Sequence, residues 1–245
     1  MSTELGDAAS PDAGALFRKL SPVRMAPYLA ATGQDESAAM NLYLWNCAAG
    51  AALWEVLGHL EVAIRHALDS ALTQRHIRLG RDGEEDWLWH AEVGRELGSR
   101  AQEDIDDALK HAEKSARRGK YTVTTDHVIA ELNFGFWRFL FTKDRESSIG
   151  STVRGAFPNA PKAVRANDVS DLNKLVSTTY DLRNRIAHHE PIWWTRLHYR
   201  HDEVLRLLGY ICEDVRDFVS SQSRFPAIYN ARPDAACNGT RPSST

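Results

Sequence analysis

The sequence predicts an all-α protein, and three observations carry that expectation. Apolar residues of the longest patterned stretch, about Glu36 to Gln74, return every three or four positions: Leu42, Trp45, Ala49, Leu53, Val56, Leu60, Ile64, Leu68 and Leu72. The stretch from Asp171 to Pro191 repeats that spacing at Leu172, Leu175, Val176, Thr179, Leu182 and Ile186. Nowhere does a run of alternating β-branched residues or an internal repeat compete with this pattern. Such helices bury their apolar stripes on one another, so the expected architecture is a helical bundle.

A chain of 245 residues can bury a large core, as one large domain or two small ones. With 43% hydrophobic and 26% charged residues the composition is that of an ordinary globular protein. The net charge of −3 gives no general attraction to nucleic acid, so any basic surface must be local. Cys47, Cys212 and Cys237 lie far apart and lack CxxC spacing, which disfavours a disulfide framework or a zinc site and fits a reducing cytoplasm. The opening MSTELGDAASPDAGA has no basic segment followed by an apolar one, so no secretory leader is expected. Asn46, Glu55, His59 and Glu61 interrupt the most apolar window, Leu42 to Ile64, and disfavour a membrane span. Without secretion, the sequon Asn238-Gly239-Thr240 is incidental. The expected organisation is a disordered N-terminus (1–19), a single helical domain (20–222) and a flexible tail (223–245) rich in Pro, Gly, Ser, Thr and Asn.

Taken in order, Leu20 to Met25 reads as the N-capped start of a short helix with Pro22 in its first turn. The long helix follows, with Gly50 and Gly58 as bends or close contacts. Within it Glu61 and Arg65 stand four apart with the acid first, the favourable orientation for an intrahelical ion pair. From Arg75 to Leu97 the periodicity lapses, and Asp82-Gly83 marks a turn. Adjacent acids cannot all converge, so Glu84, Glu85 and Asp86 read as a solvated loop rather than a metal site. Glu103 to Lys120 is a polar helix ending in the basic run Lys110, His111, Lys114, Arg117, Arg118 and Lys120. Two readings of that run stand level: a solvated helix matched to its dipole, or a patch that contacts phosphates. Thr125-Asp126 is expected to cap a helix with Val128, Ile129, Leu132, Phe136 and Phe139 on one face. After a loop with Pro158 and Pro161 comes the Asp171 helix, then a last helix, about Leu197 to Val219, with Val204, Leu207, Leu208, Ile211 and Val215 on its apolar side.

The chemically capable residues gather where the Asp171 helix ends, before Pro191. Asn184 and His188 are four apart and share a face roughly opposite the Leu182/Ile186 stripe. Arg183 lies between these faces, with a stem long enough to swing toward His188. Arg185 pairs by spacing with Asp181, and His189 with Arg185. A solvated helix end dressed for its dipole would look similar. The convergence of Arg, Asn and His at one end, followed by Trp193-Trp194, favours a functional site.

Arg183-x4-His188, with Asn184 directly after the arginine, resembles the motif of HEPN-domain ribonucleases. The longer string LRNRIAHHEPIW is similar to the Abi-like (abortive-infection, AbiD/AbiF type) branch of that superfamily. Leu42-Tyr43-Leu44-Trp45-Asn46, Glu61-Val62-Ala63-Ile64-Arg65 and Glu131-Leu132-Asn133-Phe134-Gly135-Phe136-Trp137 resemble further signatures of the branch, in order. His66 stands where the family often has Asn, a departure that bears on the Glu61/Arg65 cluster. The aromatic string is read as core, because aromatics at helical spacing usually are. The resemblance covers about residues 20 to 220. It implies an HEPN-like helical bundle with additional helices, and a dimer with a composite, metal-independent site that needs no cofactor. It also implies a cytoplasmic endoribonuclease acting as a toxin in phage abortive infection or a toxin–antitoxin pair, with RNA as substrate and an RNA or protein antitoxin as partner.

Metal-free RNA cleavage needs a base for the 2′-hydroxyl, an acid for the leaving 5′-oxygen and positive charge at the phosphorane. Histidine serves as base or acid near neutral pH. Arginine offers a planar charged fork to phosphate oxygens. His188 and Arg183 are the candidates, with Asn184 orienting the ring or holding the phosphate, and His189, Glu61 and Arg65 supporting. Lys110, Lys114, Arg117, Arg118 and Lys120 are the candidate RNA contacts. One protomer has too few groups for both proton transfers unless His189 takes part, and a two-fold pairing of helix ends would supply them. Two alternatives compete: a non-catalytic module that binds RNA, nucleotide or a protein, and a metal-dependent hydrolase using His188, His189 and Glu190. Neighbouring helical side chains diverge, which disfavours the last.

Overall fold

A computed structural model describes residues 17, 19–81, 86–90, 93–166 and 168–237. The Asp82-Gly83 turn, Glu84, Glu85, the sequon at Asn238, most of the expected disordered start and the end of the expected tail lie outside them. All regular structure among the described residues is helical, as the sequence predicts. In chain order the helices are α1 (Pro22–Ala31), α2 (Glu36–Arg78), α3 (Val93–Leu97), α4 (Ser99–Gly119), α5 (Thr125–Glu131), α6 (Phe134–Phe139), α7 (Glu146–Gly155), α8 (Lys162–Ala166), α9 (Ser170–Ala187), α10 (Leu197–Ile211), α11 (Glu213–Gln222), α12 (Phe225–Asn230) and α13 (Asp234–Cys237).

The chain divides into two compact units, where a single domain over 20–222 is expected from the sequence. One comprises the described residues up to Trp54, with Arg185–Tyr199 and those from Arg224 on. The other comprises Glu55–Asn184 and Arg200–Ser223. Both draw on α2, whose 43 residues pass for a membrane span by length and composition. A core helix passes the same test, and here Leu42, Leu53, Leu60, Ile64 and Leu68 are buried inside the protein.

In the first unit Asn46 is the organising residue. It is buried, and its side-chain carbonyl accepts from the backbone N–H groups of Ile192 (2.8 Å) and Trp193 (3.0 Å). Beside it, the Trp45 indole N–H donates to the Ile228 carbonyl at 2.9 Å. The segment after Pro191 and the helix α12 are thereby tied to α2. The residues from Phe225 on, expected to be flexible, instead form α12 and α13, with Phe225 buried. Pro226 sits in the first turn of α12, where its missing N–H costs nothing, so its presence was no argument against a helix. Gly50 lies against Ile186 and Ile192 at ordinary contact distance, while Gly58, in the second unit, faces open space.

The second unit packs α4 against α3 and α5. Ala101, Ile105, Ala108, Ala112 and Ala116 form the buried stripe of α4, and the alanines permit close approach of its neighbours. The single helix expected from Asp126 through Phe139 is broken into α5 and α6. Leu132 and Asn133 adopt extended backbone, and the Asn133 side chain accepts from the Phe136 N–H at 3.1 Å as an N-cap. The cap of α5 is Thr124, one residue earlier than expected, and its N–H donates to His127 Nδ1. Leu132, Phe134, Phe136 and Trp137 are buried, so the aromatic string is core. Helices α7 and α8 occupy the expected loop. Buried Ile149 and Val153 and the Glu146–Arg154 ion pair hold α7 in place. The expected last helix breaks at Cys212, whose extended backbone ends α10. The break turns the register, so that Val219 is buried and Val215 is exposed.

Candidate functional site

Helix α9 ends in a Schellman motif. The Glu190 N–H donates to the Arg185 carbonyl (2.8 Å) and the His189 N–H to that of Ile186 (3.0 Å). This places His189 in the left-handed region at φ 55°, a conformation that glycine usually takes. The His189 carbonyl in turn accepts from the Arg24 guanidinium. The helix therefore stops at Ala187, before Pro191 is reached. His188 and His189 are exposed. Arg185 is not paired as expected with Asp181 or His189: it reaches forward to Glu190 (3.1 Å) and lies over the Trp194 ring at 5.1 Å. His188, His189 and Glu190 thus lie in the turn that ends the helix. Among the described residues no three His, Cys, Asp or Glu side chains gather in a metal-ligating group.

Arg183 and Asn184 belong to the second unit. The Arg183 guanidinium is 3.6 Å from Glu61 and also donates to the Asn184 side-chain carbonyl at 3.4 Å. The guanidinium is thus engaged on the Glu61 side. Glu61 forms the expected i,i+4 pair with Arg65 at 3.5 Å, and Arg65 donates to the Leu132 carbonyl at 3.3 Å. The carboxylate therefore stands between two guanidinium groups. With the Glu61 side chain 18% exposed, the pairing is screened less than on an open surface. His66, the departure from the family pattern, is exposed on the same helix.

Arg183 and Asn184 open onto a polar recess of about 210 Å³, within the second unit, that also meets Arg100, Asp104, Asn133 and Tyr180. Gly135 forms part of its wall: a Cβ there would stand 2.8 Å from Asn133 Oδ1 and 3.4 Å from the Tyr180 hydroxyl. Burial raises the pKa of Asp104, against the pull of Arg100. Sequence reasoning missed Arg100, Asp104 and Tyr180. None belongs to a recognisable motif, and only the packing of α4 and α6 near α9 brings them to one cavity. The basic run on α4 is exposed. Lys110 pairs with Asp107 at 2.8 Å and Arg117 with Glu113 at 3.6 Å, leaving Lys114, Arg118 and Lys120 as the cations without an ion pair among the described residues.

Compared with protein-family models, with curated proteins and with solved structures, the chain finds no match.

Proposed function

We propose that this chain is a metal-independent endoribonuclease of the Abi-like HEPN type, acting as a toxin in phage abortive infection or in a toxin–antitoxin pair. The observation that carries the reading is the setting of Arg183: Glu61 holds its guanidinium, and it opens with Asn184 onto a polar recess beside a second arginine, Arg100. A charged fork fixed in this way suits the non-bridging oxygens of a phosphodiester. The exposed His188 follows Asn184 by four residues. In the proposed reaction a histidine takes the 2′-hydroxyl proton, the 2′-oxygen attacks phosphorus, and Arg183 stabilises the charge that develops there. The bond from phosphorus to the 5′-oxygen then breaks, and that oxygen takes a proton from a second acid. The products are a 2′,3′-cyclic phosphate and a 5′-hydroxyl. His188 from each of two chains would serve the two proton transfers in a homodimer, an HEPN-like bundle paired about a two-fold axis. The cytoplasm is the proposed compartment, and an RNA or protein antitoxin the proposed partner.

The test is cleavage of a mixed RNA pool in EDTA by wild type, His188→Ala and Arg183→Ala. Cleavage by wild type that both variants lose, with 2′,3′-cyclic phosphate ends, is the expected result. Loss of wild-type cleavage on adding EDTA would overturn the mechanism. One observation favours a second reading, a non-catalytic RNA-binding module: Lys114, Arg118 and Lys120 are exposed and make no ion pair among the described residues. On that reading RNA binds, nothing is cleaved, and binding survives in His188→Ala.

A further inference from the structure

The recess beside Arg183 has an uneven chemistry. Its donors are many. Asn133 and Asn184 both use their side-chain oxygen within the protein, one as the α6 cap and one for Arg183, which leaves their amide N–H groups to donate. Arg100 and the Tyr180 hydroxyl add to them. Against these stands one carboxylate, Asp104, which makes no hydrogen bond and no ion pair within 4 Å among the described residues. A site for bare phosphate has no use for an unsatisfied carboxylate, which would repel the ligand. A ligand with both acceptors and N–H donors on one edge would satisfy donors and carboxylate together.

Size narrows the class. About 210 Å³ is below the roughly 300 Å³ at which pockets for drug-sized ligands begin, so there is room for one base rather than a dinucleotide. Proteins read an unstacked base by its Watson–Crick edge and by an aromatic ring on its face, and Tyr180 offers such a ring. Among the four bases guanine alone sets two adjacent N–H donors, N1–H and the 2-amino group, against the two oxygens of a carboxylate. Its O6 and N7 acceptors suit an arginine.

We propose that the recess is a base-reading subsite for a guanine nucleotide, with Asp104 as the residue that sets specificity and Arg100 as its partner for the guanine acceptors. In the enzyme this guanine lies beside the scissile phosphate, so the inference deepens the ribonuclease reading and rests on it for that placement.

The experiment has two parts. Isothermal titration with 5′-GMP, 5′-AMP, 5′-CMP and 5′-UMP is run on wild type, Asp104→Asn and Arg100→Ala, and the cut sites in a mixed RNA pool are sequenced for the same proteins. Wild type is expected to bind 5′-GMP at least tenfold more tightly than the other three. Asp104→Asn should reduce that preference at least fivefold, and Arg100→Ala should weaken 5′-GMP specifically. Asp104→Asn is expected to fold well, because Asp104 is only partly buried and makes no hydrogen bond or ion pair among the described residues that Asn would break. Equal binding of the four nucleotides, or a preference that Asp104→Asn leaves intact, overturns the proposal. RNA cleaved with no guanine bias at the cut site would sink the subsite while leaving the nuclease standing. A guanine preference lost in Asp104→Asn, in a protein that cleaves nothing, would do the reverse.

Discussion

Replacing Asn46 with Ala is the sharpest test of how the loop after the motif helix is held. One side-chain oxygen accepts two backbone N–H groups, those of Ile192 and Trp193, at 2.8 and 3.0 Å. Ile192 is 0% exposed and Trp193 4%, so water has no easy route to either donor once the acceptor is gone. Each orphaned buried donor costs about 1–3 kcal/mol. Two of them, partly relieved by local movement, give a loss of about 2–5 kcal/mol. For a chain of this size that lowers the melting temperature by roughly 5 °C or more. Urea unfolding followed by tryptophan fluorescence measures the free energy, and hydrogen exchange read by mass spectrometry measures the two amides directly. In wild type both amides should be protected, and in Asn46→Ala they should exchange far faster than the α10 amides. Trp45→Phe, which removes the bond to Ile228 together with part of a buried ring, should cost about 1–3 kcal/mol. A stability change below about 0.5 kcal/mol in Asn46→Ala, or unchanged exchange at Ile192 and Trp193, would refute the reasoning.

Three further outcomes follow from other parts of the structure. Glu61→Gln leaves Arg65 and Arg183 without their shared counterion; stability should fall by about 1 kcal/mol or less, because these side chains are partly exposed, while RNA cleavage falls at least tenfold. Unchanged cleavage, in an assay where His188→Ala is inactive, would show that Glu61 does not position Arg183. Gly135→Ala presses its new methyl on the oxygen that caps α6, and thermal melts should show a loss of about 1 kcal/mol. Burial lowers the pKa of His201 below its unfolded value near 6.5, so its contribution is full above about pH 6.5 and is lost as pH falls through the lowered folded value. Urea midpoints at pH 8 and pH 5 should therefore diverge less in His201→Gln than in wild type, and an equal pH dependence would disprove the assignment.

Helices were legible where an unbroken apolar period ran long. The α2 pattern ends four residues short of the observed Arg78, and the α9 helix starts within one residue of its expected beginning. Breaks were not legible, because each turns on one residue. Asn133 caps α6 from inside what reads as one continuous apolar face, and at Cys212 itself neither Gly nor Pro marks the break. Helix α7 was missed because ESSIGSTVRG is short and rich in Ser, Thr and Gly, so its buried face shows only two strong apolar positions. Arg183 and Asn184 stand out by local spacing, but what surrounds them does not. Glu61 lies 122 positions before Arg183, and Asn46 reaches amides 146 and 147 positions away. Contacts of that range leave no periodic trace.

The interleaved construction of the first unit also bears on how the protein is made. Ribosomes deliver a chain from its N-terminus at about 5–20 residues per second. The buried residues of α2 before Trp54 are therefore synthesised roughly 10–30 s ahead of Arg224, where the segment that receives the Trp45 bond begins. Throughout that interval the Trp45 indole N–H lacks the Ile228 carbonyl that it donates to in the finished fold. The second unit, whose last residue is Ser223, has all its sequence before the first unit does. The residues that form the recess around Arg183 are thus all synthesised before the segment that completes the first unit.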